Sequence, residues 1–191
     1  MQEPDGAGEV ASEDDGAAQD DDEQEVALRV VPPDLGAELA DPRAEREPIL
    51  VGSLKACVPF VIDLSRAIPV AHALDFVELA GYGSSELGGH ERIRFIKDLD
   101  LEIAGRDVVL VDEVVDTGLT MHYLLRSLSL RGPESIACAV LFDRPYRRLV
   151  DDLPTRDVGF TIPDEFFVGY GFDLDERWRN LPDLRVVRNG G

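Results

Sequence analysis

The chain has 191 residues, 44% hydrophobic and 30% charged, which fits one soluble domain with a sizeable core. Its 39 acidic and 19 basic residues give a formal charge of -20, and that balance argues against nucleic acid as a partner, since phosphate backbones need basic patches. Two cysteines, Cys57 and Cys138, lack any metal-ligand spacing and read as reduced, small apolar residues.

The charge is uneven. Residues 1–25 hold 11 acidic side chains and no Lys or Arg, leaving 28 acidic against 19 basic residues in the remainder. Such a segment cannot bury enough apolar surface to offset the entropy of ordering it, so a disordered tail is expected, serving either solubility or interaction. Residues 26–47, rich in Pro, Ala and charge, read as a linker or a partial hood, and the main domain is expected over 48–191. No secretory h-region and no apolar run of transmembrane length is visible, so a cytoplasmic protein without membrane contact is expected.

Pro48 to Gly52 is a short apolar run ending in Gly, and Val58 to Ala67 places apolar residues at helical spacing. That predicts strand, turn, helix. Val70 to Leu79 and Arg92 to Ile96 both alternate, and between them Tyr82 to Gly89 is loop-forming by composition, which predicts a hairpin around a long mobile loop. Val108 to Val111 is a four-residue apolar run of the kind buried on both faces of a parallel sheet. A helix is expected from about Thr117 to Arg131, closed by Gly132-Pro133, and a second buried strand from Ser135 to Phe142. Strand, helix, strand in this order is a βαβ unit, whose right-handed crossover gathers loops at the carboxyl edge of the sheet.

The segment Val108 to Thr120, VVLVDEVVDTGLT, sets three carboxylates at a strand end and then opens a helix. A small Gly-containing turn at a helix amino terminus offers N–H groups and hydroxyls to a phosphate. Two adjacent acids can accept from a sugar diol and help hold Mg²⁺, and Asp116 can act as a base or face developing positive charge. The alternative is a simple helix cap with solvated acids.

This run resembles the phosphoribosyl pyrophosphate signature of type I phosphoribosyltransferases. Matches at Leu50 to Lys55, Tyr82 to Ser84, Ile96 to Leu99 and Val158 to Asp173 narrow the resemblance to the hypoxanthine-guanine phosphoribosyltransferases, over roughly Pro48 to Leu181. The resemblance implies an α/β fold: a central, mostly parallel sheet flanked by helices, with a small hood and a mobile loop. It also implies a homodimer or homotetramer that uses Mg²⁺ to join a 6-oxopurine to phosphoribosyl pyrophosphate.

By the same resemblance, Leu54 and Lys55 form the pyrophosphate loop across a cis peptide, with Arg179 reaching pyrophosphate. Tyr82 and Ser84 lie on the mobile loop, Asp112 and Glu113 face the ribose and metal, and Asp173 binds a second metal ion. Asp116 is the catalytic carboxylate near N7 of the base, and Thr117, Gly118 and Thr120 hold the 5-phosphate. Arg144 donates to the purine 6-oxygen, Phe166 stacks on the ring, and Phe167 offers its backbone to the ring edge. The departures are Ala56-Cys57 for the usual Gly-Gly, the order Asp112-Glu113, Gly81 for Ser, and Arg144 for Lys. They leave a rival reading, a catalytically weak regulatory binder of phosphoribosyl pyrophosphate or nucleotide. His72, His90 and His122 show no spacing for metal, and Arg147-Arg148 reads as a solvated or subunit-contact pair.

Overall fold

The computed structural model describes residues 47–79, 93–150 and 153–188. The acidic tail, the 26–46 segment and the loop carrying Tyr82 and Ser84 lie outside the described residues.

Strand β1 (Ile49–Ser53) is apolar with four consecutive buried residues, so both of its faces are covered. It leads through a tight turn into helix α1 (Val58–Ala67), which has Pro near its start and turns Phe60, Val61 and Leu64 inward. Strands β2 (Ala73–Leu79) and β3 (Phe95–Lys97) pair antiparallel, as the two alternating segments predict, although β3 begins three residues later than the pattern does. Strand β4 (Asp107–Val115) precedes helix α2 (Leu119–Ser129), whose inward residues Met121, Leu124, Leu125 and Leu128 follow helical spacing. Strand β5 (Ser135–Asp143), a 3-10 turn at Pro145–Arg147 and strand β6 (Thr155–Thr161) follow. A short antiparallel pair of two-residue strands, β7 (Phe167–Val168) and β8 (Arg185–Val186), closes the described chain.

Among the described residues, six strands form one sheet in the order β3-β2-β1-β4-β5-β6, parallel except for β3. Side-chain alternation distributes the core. Leu50, Val109, Val111, Ala139 and Leu141 pack with α1, while Ile49, Val51, Val108, Leu110 and Val140 pack with α2. Each fully buried aliphatic side chain contributes roughly 1.5–3 kcal/mol relative to exposure. The sheet is thus an apolar slab that fixes where its strand ends lie.

Two further boundary differences bear on the site. Strand β4 continues past the apolar run to Val115, because β5 keeps pairing with it as far as Val115 opposite Asp143; the acid pair therefore lies inside the strand. Helix α2 starts at Leu119 instead of Thr117, because Gly118 is left-handed at φ 84° and cannot belong to the helix.

Candidate active site

Strands β1, β4 and β5 are parallel, so Ser53, Val115 and Asp143 all end at one edge of the sheet. From β1 the chain crosses to β2 on one side, and from β4 to β5 on the other, so the order reverses between β1 and β4. Ligands of open α/β sheets bind at such a reversal.

The floor of this crevice is acidic. Asp112 is 6% exposed and its Oδ1 accepts the Glu113 amide at 3.1 Å, while Glu113 Oε2 is buried with no hydrogen-bond partner. Burial, reinforced by the neighbouring Glu113 charge, holds Asp112 well above the usual carboxylate range, and burial also raises Glu113. Arg179 lowers and Asp173 raises the Glu113 value, so both act on the same carboxyl group. Burial and the Asp112 charge push the Cys57 thiol up, and the Cys138 thiol up to about 12, leaving both unreactive. Among the described residues, no three Asp, Glu, His or Cys side chains form a ready-made metal cluster.

Next to the acids, the Asp116-Thr117-Gly118 turn opens α2. Gly118 at its cap carries no side chain and its first turn has no acidic residue, so no charge within that turn opposes the positive end of the helix dipole. The Thr117 carbonyl accepts from Leu149 at 2.9 Å and its Oγ1 accepts from the Leu119 amide at 3.3 Å. A Cβ at Gly118 would lie 2.9 Å from Leu153, so the turn is closed from behind as well as left-handed. Thr120 stands on the first turn of the helix.

On the β1 side, the Leu54–Lys55 peptide is cis, as the resemblance implies, and the Leu54 amide donates to Val77 at 2.9 Å. Ala56 and Cys57, where the family has glycines, do not take the left-handed conformation that would require them. Cys57 is buried in the α1 face of the core. The adjoining segment is tied in by Gly171, whose position is so close to the Ala56 carbonyl that a Cβ would lie 1.9 Å from its oxygen. Arg179 donates to the Gly171 carbonyl at 2.8 Å and pairs with Asp173 at 2.8 Å. Lys55 Nζ lies 3.2 Å from both carboxylate oxygens of Glu176.

The β5 side carries a second network. Arg144 follows the strand end, with its amide donating to Val115 at 3.0 Å. Its guanidinium donates to the Glu165 carbonyl at 2.5 Å, pairs with Asp164 at 3.1 Å and stands 3.8 Å from Asp116 Oδ2. Arg147, whose side chain is half-exposed as the solvated reading expects, also pairs with Asp164 at 2.8 Å and lies 3.6 Å from Asp116 Oδ2, so it borders the site; Arg148 instead pairs with Asp143. Asp116 Oδ1 is buried without a partner. Phe166 is 53% exposed beside this network, and Phe167 is held in register opposite Val186.

The site residues read from sequence within the described chain therefore meet at one sheet edge in three groups: Asp112, Glu113, Asp116, Thr117, Gly118 and Thr120 along β4 and α2; Leu54, Lys55, Asp173 and Arg179; and Arg144 with Phe166 and Phe167. The sequence alone does not single out Glu176 or Asp164 as site residues, and it offers Arg147 as a solvated or subunit-contact residue. Their partners are distant in sequence, Lys55 being 121 residues from Glu176, and no local pattern announces such a pairing.

The chain is 38% identical to a hypoxanthine-guanine phosphoribosyltransferase of Bacillus subtilis over 166 residues, which is 87% of this chain and 90% of that protein. The chain belongs to the hypoxanthine-guanine phosphoribosyltransferase family. The model of the phosphoribosyl transferase domain matches residues 36–176. A hypoxanthine phosphoribosyltransferase of Salmonella typhimurium is 40% identical over 86% of this chain and 92% of its own length. A solved hypoxanthine-guanine phosphoribosyltransferase of Bacillus anthracis superposes with a TM-score of 0.74 at 35% identity, over 82% of this chain and 89% of that one. The phosphoribosyltransferase fold, with its mostly parallel sheet between helices, is thus common to this chain and to solved members of the family.

Proposed function

We infer that this protein is a purine salvage enzyme that joins hypoxanthine or guanine to phosphoribosyl pyrophosphate, releasing IMP or GMP and pyrophosphate. The observation that carries the reading is the meeting of an acid pair whose Asp112 is buried, a helix amino terminus with no acid in its first turn, and a half-exposed Phe beside an Arg at one reversal of strand order. The relatives at 38–40% identity are named as enzymes of this activity, which supports an enzyme over a regulatory binder. The departure at Ala56-Cys57, which motivated that rival, needs no left-handed backbone.

Each residue has a task. Thr117, Gly118 and Thr120 receive the 5-phosphate at the positive end of α2. Asp112 and Glu113 accept from the ribose hydroxyls. Leu54, Lys55 and Arg179 take the pyrophosphate group, Phe166 stacks on the purine, Phe167 borders the ring edge, and Arg144 donates to its 6-oxygen. A ring nitrogen of the base forms the new bond to C1 of the ribose as the bond from C1 to the pyrophosphate oxygen breaks, with the electron pair leaving on pyrophosphate. Asp116 accepts the ring proton or stabilises the positive charge that develops. Tyr82 and Ser84 belong to the segment that would exclude water.

Mg²⁺ fits the acids present: Glu113 Oε2 is a buried carboxylate oxygen without a partner, and Asp173 stands near the same crevice. Mg²⁺ is usually held by one or two carboxylates plus substrate oxygens, so a preformed cluster is not required. When bound, it supplies charge neutralisation for the leaving pyrophosphate.

A cytoplasmic homodimer or homotetramer without nucleic acid or membrane partners completes the reading; no helix among the described residues is long and apolar enough to cross a membrane. Residues 1–25 belong outside the catalytic unit in this reading, which is supported by a family match that begins at residue 36. Ultraviolet absorbance of the purified protein with phosphoribosyl pyrophosphate, Mg²⁺ and each of hypoxanthine, guanine, xanthine and adenine tests the assignment. Turnover of hypoxanthine or guanine is expected, and failure with every base would remove it.

A further inference from the structure

Glu176 lies between the two cations assigned to pyrophosphate. Its carboxylate is 3.2 Å from Lys55 Nζ through both oxygens, and Oε2 is 3.3 Å from Arg179 Nη2. A bridging carboxylate of this kind presents to Lys55 and Arg179 what a pyrophosphate oxygen would present: a full negative charge within hydrogen-bond reach.

The backbone holds it there. Asp175 and Glu176 are left-handed at φ 52° and 61°, a conformation sparsely populated by residues with side chains. The Glu176 amide donates to Asp173 Oδ2 at 2.9 Å, and Leu174 and Arg177 exchange amide-to-carbonyl bonds of 3.2 and 3.1 Å across the turn. The chain is therefore bent so that Glu176 reaches back to a residue 121 positions earlier.

We propose that Glu176 is a built-in competitor for the pyrophosphate group, neutralising Lys55 and Arg179 in the empty site, yielding to phosphoribosyl pyrophosphate and returning as pyrophosphate leaves. Glu176 thereby sets the affinity of that subsite. This rests on the assignment of Lys55 and Arg179 to pyrophosphate made above. Lys55 and Glu176 side chains are 54% and 64% exposed, and exposed ion pairs are weak. Competition is accordingly modest, which suits a group that must be displaced in every turnover.

Calorimetric titration of pyrophosphate with Mg²⁺ into the full chain tests this, with Glu176→Gln compared to wild type. Glu176→Gln is expected to bind pyrophosphate about two- to fivefold more tightly, on the order expected for removing an exposed ion pair, with IMP affinity unchanged because its phosphate goes to α2. Asp175→Asn removes the same charge one residue away at a position where Asn tolerates the left-handed backbone, and is expected to match wild type. Equal or weaker pyrophosphate binding by Glu176→Gln overturns the proposal, as does equal tightening by Asp175→Asn, which would make the effect one of net charge. Pyrophosphate binding by the wild type without a gain in Glu176→Gln removes only the competitor role; absence of binding by both removes the assignment of Lys55 and Arg179 as well.

Discussion

The guanidinium of Arg144 bonds the backbone carbonyl of Glu165 at 2.5 Å, so the end of β5 is fastened directly to the residue that precedes Phe166. A Lys at this position would have one nitrogen to offer; the Arg fork also holds Asp164 and still directs Nη1 toward Asp116.

Arg144→Met is therefore expected to lower kcat/KM for hypoxanthine and guanine by roughly 10- to 150-fold, the equivalent of about 1.5–3 kcal/mol for a lost charged hydrogen bond. Adenine, which offers no 6-oxygen, should remain a poor substrate and lose little. Arg144→Lys should fall between wild type and Arg144→Met. Steady-state efficiencies for the three bases decide the matter: an equal loss for every base would mean that Arg144 shapes the Phe166 segment without reading the base.

Asp116→Asn is expected to reduce kcat by about 10²- to 10⁴-fold, the range for a lost general acid or base, with KM for phosphoribosyl pyrophosphate nearly unchanged. The group has one buried oxygen without a partner and the other facing two guanidinium groups, so a carboxylate is kept there at a cost that binding alone does not explain. Weak substrate binding with normal kcat at saturation would make Asp116 an anchor instead.

Gly171→Ala should destabilise the protein by roughly 3 kcal/mol or more, since the site combines a left-handed backbone with a clash against another backbone. The φ there is 98° and the Ala56 oxygen would lie 1.9 Å from the new carbon. Thermal melts should fall by about 6–12 °C for a chain of this size. A melt within 2 °C or so of wild type would show that the pyrophosphate loop moves away without cost.

The buried acids predict an unusual pH dependence. The folded-state value of Asp112 is raised above its unfolded value, so the folded chain holds the proton more tightly and stability falls as pH rises through that interval. Asp112→Asn should accordingly raise the melting temperature of the ligand-free protein at pH 8, with the gain shrinking toward pH 4. Melts across this range check it, and a variant less stable than wild type at pH 8 would contradict the burial argument.

Much of this was legible in the sequence because it is local. Apolar runs and spacing located β1, α1, the buried part of β4, α2 and β5, and the DEVVDTG segment marked the acids and the phosphate turn. Helix α1 matches its predicted span because one Pro and one apolar face define it completely. What escaped depends on distant partners. The extension of β4 follows from pairing with β5, strands β7 and β8 are too short to carry a periodic signal, and the Arg147–Asp164 and Lys55–Glu176 contacts join segments that only the fold brings together.

The pairing of β1 with β4 also bears on how the chain is made. Ile49 lies opposite Val108, 59 positions later, and the helix and hairpin between them must be synthesised first. At ribosomal rates of roughly 5–20 residues per second, the nascent Ile-Leu-Val edge of β1 waits on the order of 3–12 s for its partner. During that interval an apolar strand destined for the middle of the sheet has one unsatisfied side, the condition in which newly made chains associate with one another.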